Sequence, residues 1–90
     1  MISQKEAIDL AIDRINIDFN LSENGDCVKI ITEKTLILKT GWVFFYNSSK
    51  FLDSGDSEFM LLGNKPIFVE MSTGDIMYIR MDIPISDQLT

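Results

Sequence analysis

The sequence predicts an α+β fold: an N-terminal helix packed on an antiparallel sheet of about four strands, a meander that ends in a C-terminal hairpin. Three observations carry this. Apolar residues recur at three- and four-residue spacing near the N-terminus, strand-like apolar runs follow from Cys27 onward, and turn residues separate those runs. With 90 residues, 46% hydrophobic and 24% charged, the chain makes one domain, 1–90, of ordinary globular composition. A chain this short buries only about 60–65% of its unfolded surface, which leaves little to wall a deep substrate cavity.

Ser3 and Glu6 have the Ser-x-x-Glu spacing of a capping box. Ile8, Ala11, Ile12, Ile15 and Phe19 then share a helical face, with Asp9, Asp13 and Arg14 on or near the opposite one. The spacing predicts a helix over about residues 4–18, ending before LSENGD, where Asn24-Gly25 signals a turn. CVKIITE alternates as a strand with Val28 and Ile30 on one face, and TLILKT either extends that strand or begins the next. WVFFY is apolar on both sides, with Trp42, Phe44 and Tyr46 pointing one way and Val43 and Phe45 the other. A strand apolar on both faces belongs at the centre of a sheet.

Lys50 to Leu62 reads as one irregular loop, with a short helical turn near 57–62 capped by Asp56 or Ser57. Gly63-Asn64 stops it and Pro66 opens an extended segment. PIFVEM and DIMYI flank Ser72-Thr73-Gly74 as a hairpin, Gly74 supplying the positive-φ position. The tail RMDIPISDQLT carries Pro84 and little periodicity, and is expected to be extended and partly mobile.

The chain contains no histidine, which removes the usual general base and the commonest metal ligand. Asp53-Ser54-Gly55-Asp56-Ser57-Glu58 is too short for a twelve-residue calcium loop and lacks its closing glutamate. No glycine-rich phosphate loop occurs, and a carboxylate pair for glycoside hydrolysis has no visible cleft. No metal or cofactor is therefore expected, and an enzyme is the disfavoured class. A net charge of −6, from eight basic and fourteen acidic residues, argues against nucleic acid and anionic membranes and suits a basic partner. The lone Cys27 excludes an internal disulfide and reads as a small buried hydrophobe of a cytoplasmic protein. The N-terminal segment has acidic residues inside its apolar pattern, so neither a signal peptide nor a membrane anchor is expected. Among the aromatics, Trp42, Phe44, Phe45 and Phe68 are assigned to the core. Tyr46, Phe51 and Phe59 are the candidates for exposure.

GWVFFYNSSKFLDSGD, then LLGNKPIFV, then STGDIMYI resembles the immunity protein 35 family, also described as YrhB-like domains. The pattern falls on Gly41, Trp42, Phe44, Ser49, Phe51, Leu52, Gly55, Asp56, Leu62, Gly63, Asn64, Pro66, Gly74 and Ile76. The resemblance implies a small cytoplasmic bacterial protein that neutralises a cognate polymorphic toxin, encoded by a neighbouring gene, by direct stoichiometric binding. It implies neither catalysis nor cofactor, and a monomer or weak dimer. Relatives often continue into a C-terminal helix where this chain stops at DQLT. The family also includes stress-related members, so the alternative is a chaperone-like small protein. On the first reading the contact surface is expected on the 50–59 loop, through Phe51, Asp53, Asp56, Glu58 and Phe59, where acidity clusters beside aromatics. Gly41, Gly63, Asn64, Pro66 and Gly74 are assigned to turn geometry, with Gly or Asn where φ must be positive, and Trp42 to the core.

Overall fold

The first helix, α1 (Gln4–Phe19), begins at the expected capping box. The Glu6 amide donates to Ser3 Oγ at 3.2 Å, and the Ser3 amide donates to Glu6 Oε1 at 3.3 Å. Asn20 ends the helix in the left-handed region at φ 54°, a conformation that asparagine tolerates better than most residues. The computed structural model describes residues 1–62, 64–80 and 82–88. The buried spine of α1 is Ala7, Ala11 and Ile15, flanked by half-buried Ile8, Ile12 and Phe19. Two alanines on the spine let the helix approach the sheet closely, while the flanking isoleucines fill the sides.

Among the described residues six short strands follow: β1 (Val28–Ile30), β2 (Leu36–Ile37), β3 (Gly41–Phe44), β4 (Tyr46–Ser48), β5 (Ile67–Glu70) and β6 (Ile76–Tyr78). The order β2-β3-β5-β6 makes the expected four-stranded antiparallel sheet, and β1 pairs with β4 in a separate ribbon. Trp42 faces Val69 and Phe44 faces Ile67 across the β3–β5 pair, all four in the core beneath α1. Val43 and Phe68 face the other side, where Leu38, Phe45, Ile79 and Ile85 cover them.

The single central strand expected over 42–46 is in fact two. Its alternation is as expected, but the chain changes partners at Phe45: Gly41–Phe44 lies between β2 and β5, whereas Tyr46–Ser48 pairs with β1. The Phe45 carbonyl accepts from the Ile31 amide at 2.8 Å, so the crossing point is itself hydrogen-bonded. The expected irregular loop over 50–62 is also corrected. Ser49–Ser54 forms a helix, α2, and the later helical turn is the short 3₁₀ segment Ser57–Phe59 capped by Asp56. The tail is not simply extended. Ile85–Gln88 forms a one-turn helix, α3, and the Gln88 side chain accepts from the Arg80 amide at 2.7 Å and donates back to its carbonyl at 2.7 Å.

Trp42 is buried and Gly74 has φ 78°, as expected. Two other motif residues have different roles. Gly41 is not a positive-φ position. A Cβ there would lie 2.1 Å from the Val69 carbonyl oxygen and 3.0 Å from Cε1 of Phe68, so the neighbouring strand occupies the space of a side chain. Asn64 acts through its side chain, whose Nδ2 donates to the Tyr46 carbonyl at 2.8 Å. Pro66 is buried, and its carbonyl accepts from the Ile79 amide. Gly63 lies outside the described residues. Cys27 is exposed rather than buried, because it shares the outward face of β1 with Lys29.

Gly41→Ala must push β3 away from β5. The expected cost is about 1–3 kcal/mol, read as a lower urea midpoint at unchanged slope. An unchanged midpoint would contradict this account of the strand contact.

Candidate functional site

The segment 49–61 is built outward from a buried hydroxyl. Ser48 is fully buried and is the N-cap of α2, its Oγ accepting from the Phe51 amide at 3.2 Å. The same hydroxyl donates to the Asp26 carboxylate. Asp26 also accepts from the Cys27 amide at 2.8 Å and the Lys50 amide at 3.2 Å, so one carboxylate joins the start of β1 to the first turn of α2. Burial pushes the Asp26 pKa up. The three hydrogen bonds and the nearby Lys50 charge outweigh that push and hold it below the ordinary value of 3.8.

Gly55 then turns the chain at φ 73°, and Asp56 Oδ1 accepts from the Glu58 amide at 3.0 Å to cap the 3₁₀ turn. The chain beyond is pinned along β4 by side chains rather than by a strand ladder. Asn47 Oδ1 accepts from the Leu61 amide at 2.8 Å, and the Tyr46 hydroxyl donates to the Lys65 carbonyl at 2.6 Å. Burial pushes the Tyr46 pKa up to about 12, with Asp18 adding to the shift, so the phenol stays a donor at any physiological pH.

Between this segment and the end of α1 lies an open cleft of about 500 Å³. Phe19, Leu21 and Asp26 form one side, and Glu58, Phe59, Met60 and Leu61 form the other. Phe19 is held in place by an edge-to-face contact with Tyr46, ring centroids 6.2 Å apart, and by the anchoring of the residue before it. Asp18 accepts from the Tyr78 hydroxyl at 2.6 Å and from Arg14 at 2.9 Å. The Tyr78 hydrogen bond is the chief cause of a lowered Asp18 pKa, outweighing desolvation, and Arg14 adds to it.

Two of the five residues singled out in the sequence line the cleft. Glu58 and Phe59 meet in the cleft, and Phe59 is exposed at its rim, with the Lys50 ammonium 5.3 Å from its ring centroid. Asp56 is committed to capping. Asp53 pairs with Lys29 at 3.0 Å, an exposed contact that contributes little to stability. Phe51 is half-buried. The cleft residues that sequence reasoning missed are Phe19, Leu21, Asp26, Met60 and Leu61. Phe19 was placed on the helix face, and nothing local to the others marks a cleft. Among the described residues no group of three or more His, Cys, Asp or Glu could hold a metal ion.

The family model described as Immunity protein 35 matches residues 7–88. The chain belongs to the immunity protein 35 family. The matched span reaches from the first turns of α1 to the end of α3, so both sheets and the whole cleft lie within the immunity protein 35 match. No curated protein and no solved structure matches the chain. Among the described residues no helix is long and apolar enough to cross a membrane.

Asp26→Asn replaces a charged acceptor that serves three donors, and should cost about 1–2 kcal/mol at pH 7. Because the folded pKa of Asp26 is depressed, its contribution is present above the unfolded carboxylate pKa and is lost as pH falls through the folded value. The variant should therefore lose less stability than wild type between about pH 5 and pH 2, while keeping the separate dependence from Asp18. Parallel pH–stability curves in urea denaturation would contradict the assignment.

Proposed function

We propose that this protein neutralises a cognate toxin by binding it one to one in the cytoplasm, with no chemistry of its own. The observation that carries this reading is the family match over residues 7–88. Charge and site support it. A protein of net charge −6 is attracted to a basic partner over distances comparable to the Debye length, which speeds encounter. The 50–59 segment and its cleft offer a half-buried aromatic, an exposed aromatic and exposed carboxylates, the composition of an anchor with a polar rim. Asp26, the most constrained carboxylate of the cleft, is held ionised by internal donors and so is poorly suited to act as an acid or base near neutral pH.

The second reading is a stress-related protein that holds unfolded clients. It draws on the exposed apolar side chains of Ile17, Ile37 and Leu62, which lie on three different segments.

Titration calorimetry against the product of the neighbouring gene, at two salt concentrations, separates these. Nanomolar one-to-one binding that weakens with salt is expected. Tight binding indifferent to salt would keep the inhibitory role and discard charge steering. No binding, together with binding of several unfolded proteins, would replace the proposal with the second reading. The double variant Asp53→Lys, Glu58→Lys is expected to weaken toxin binding at least about tenfold, and unchanged affinity would remove the 50–59 surface from the interface.

A further inference from the structure

Resting on the reading of this chain as a protein-binding inhibitor, we propose that the cleft between the end of α1 and the 57–61 segment receives an arginine side chain of the partner. Its guanidinium pairs with Glu58 and stacks on Phe59.

Three features of the cleft define the guest. The first is sign. Two carboxylates, Asp26 and Glu58, line the space against one nearby ammonium, that of Lys50 over the Phe59 ring at the rim, a balance that disfavours an anionic guest. The two are not equivalent. Asp26 already serves three internal donors, and supplies a fixed negative field more than a free contact. The Glu58 carboxylate has no ion pair or hydrogen bond among the described residues, so it is the acceptor left for a guest.

The second feature is the remainder of the wall. Phe19, Leu21, Met60 and Leu61 would cover the alkyl part of a long side chain, and the volume of about 500 Å³ falls in the range of small-ligand sites. A purely apolar guest would cover Glu58 without pairing it, at the cost of desolvating a charge.

The third feature concerns the ring at the rim. Phe59 is 37% exposed and already lies within 5.3 Å of an ammonium, that of Lys50. The ring is therefore oriented to meet a cation in the free protein. A guanidinium competes well for such a place, because it is planar, less hydrated than an ammonium and able to bond a carboxylate in a fork while stacking on an aromatic face.

The test uses a probe in place of the toxin: N-acetyl-arginine amide, with N-acetyl-norleucine amide as the uncharged control, titrated into the full chain and followed by NMR. Saturable shifts at the amides of Glu58 to Leu61 and at the Met60 methyl are expected with the arginine probe alone. Glu58→Gln and Phe59→Leu, both at exposed positions, should each raise the half-saturation concentration about fivefold. Equal response to the uncharged probe, shifts spread evenly over Asp9, Asp53 and Asp75, or a half-saturation point indifferent to Glu58→Gln would overturn the proposal. The toxin takes no part in this titration. Failure here discards the arginine site alone, whereas failure of the calorimetry discards the inhibitory role.

Discussion

The placement of the candidate surface depends on one carboxylate. Asp26 sits where the turn after α1 becomes β1, and it accepts from the Ser48 hydroxyl at the end of β4 and from the Lys50 amide in the first turn of α2. Without that acceptor, the buried Ser48 hydroxyl loses its partner and α2 loses one of its caps. A six-residue helix has almost no stability of its own, so its existence rests on such contacts. The cleft inherits its geometry from the same node, since Asp26 forms part of one wall and the chain leaving α2 forms the other.

The second constraint is the partner change at Phe45. By leaving the four-stranded sheet there, the chain frees β4 to pair with β1 and to hold Leu61, Asn64 and Lys65 by side-chain hydrogen bonds. Asn47, Asn64 and Tyr46 satisfy backbone groups that a further strand would otherwise have paired. A sheet edge covered by side-chain hydrogen bonds allows the 57–61 turn to project beside α1 instead of lying flat in a ladder. The four-stranded sheet and the ribbon share one core with α1, through Trp42, Phe44, Ile67 and Val69 from the sheet and Val28, Ile30 and Tyr46 from the ribbon, and the turns that follow the ribbon carry the candidate surface.

Local signals in the sequence carry much of this fold. The Ser3–Glu6 box, the helical stripe, the opposed faces of 42–46 and the Gly74 hairpin each depend on residues a few positions apart, and each stands in the structure. What was illegible depends on distant partners. No pattern marks the break at Phe45, because it falls inside the unbroken apolar run Trp42 to Tyr46, and the change of strand partner comes from β1, far back in the chain. Helix α2 needs Asp26, far back in the chain, and α3 needs the Gln88 contact with Arg80. Gly41 gives no hint of its reason, since the Val69 carbonyl that excludes a side chain comes from another strand. Cys27, expected to be buried, is exposed, as alternation with Val28 and Ile30 inward requires. At the site, Glu58 and Phe59 stood out as acidic beside aromatic, whereas their opposite wall came from the end of α1 and could be seen only in three dimensions.

Hydrogen exchange of the free chain against the chain mixed with its proposed toxin partner tests the whole account most directly. It predicts new protection in two separate stretches, 19–26 and 49–62, the two walls of one cleft, with the four-stranded sheet unchanged. Protection confined to the outer face of α1 or to β6, with both walls of the cleft exchanging as in the free chain, would contradict it.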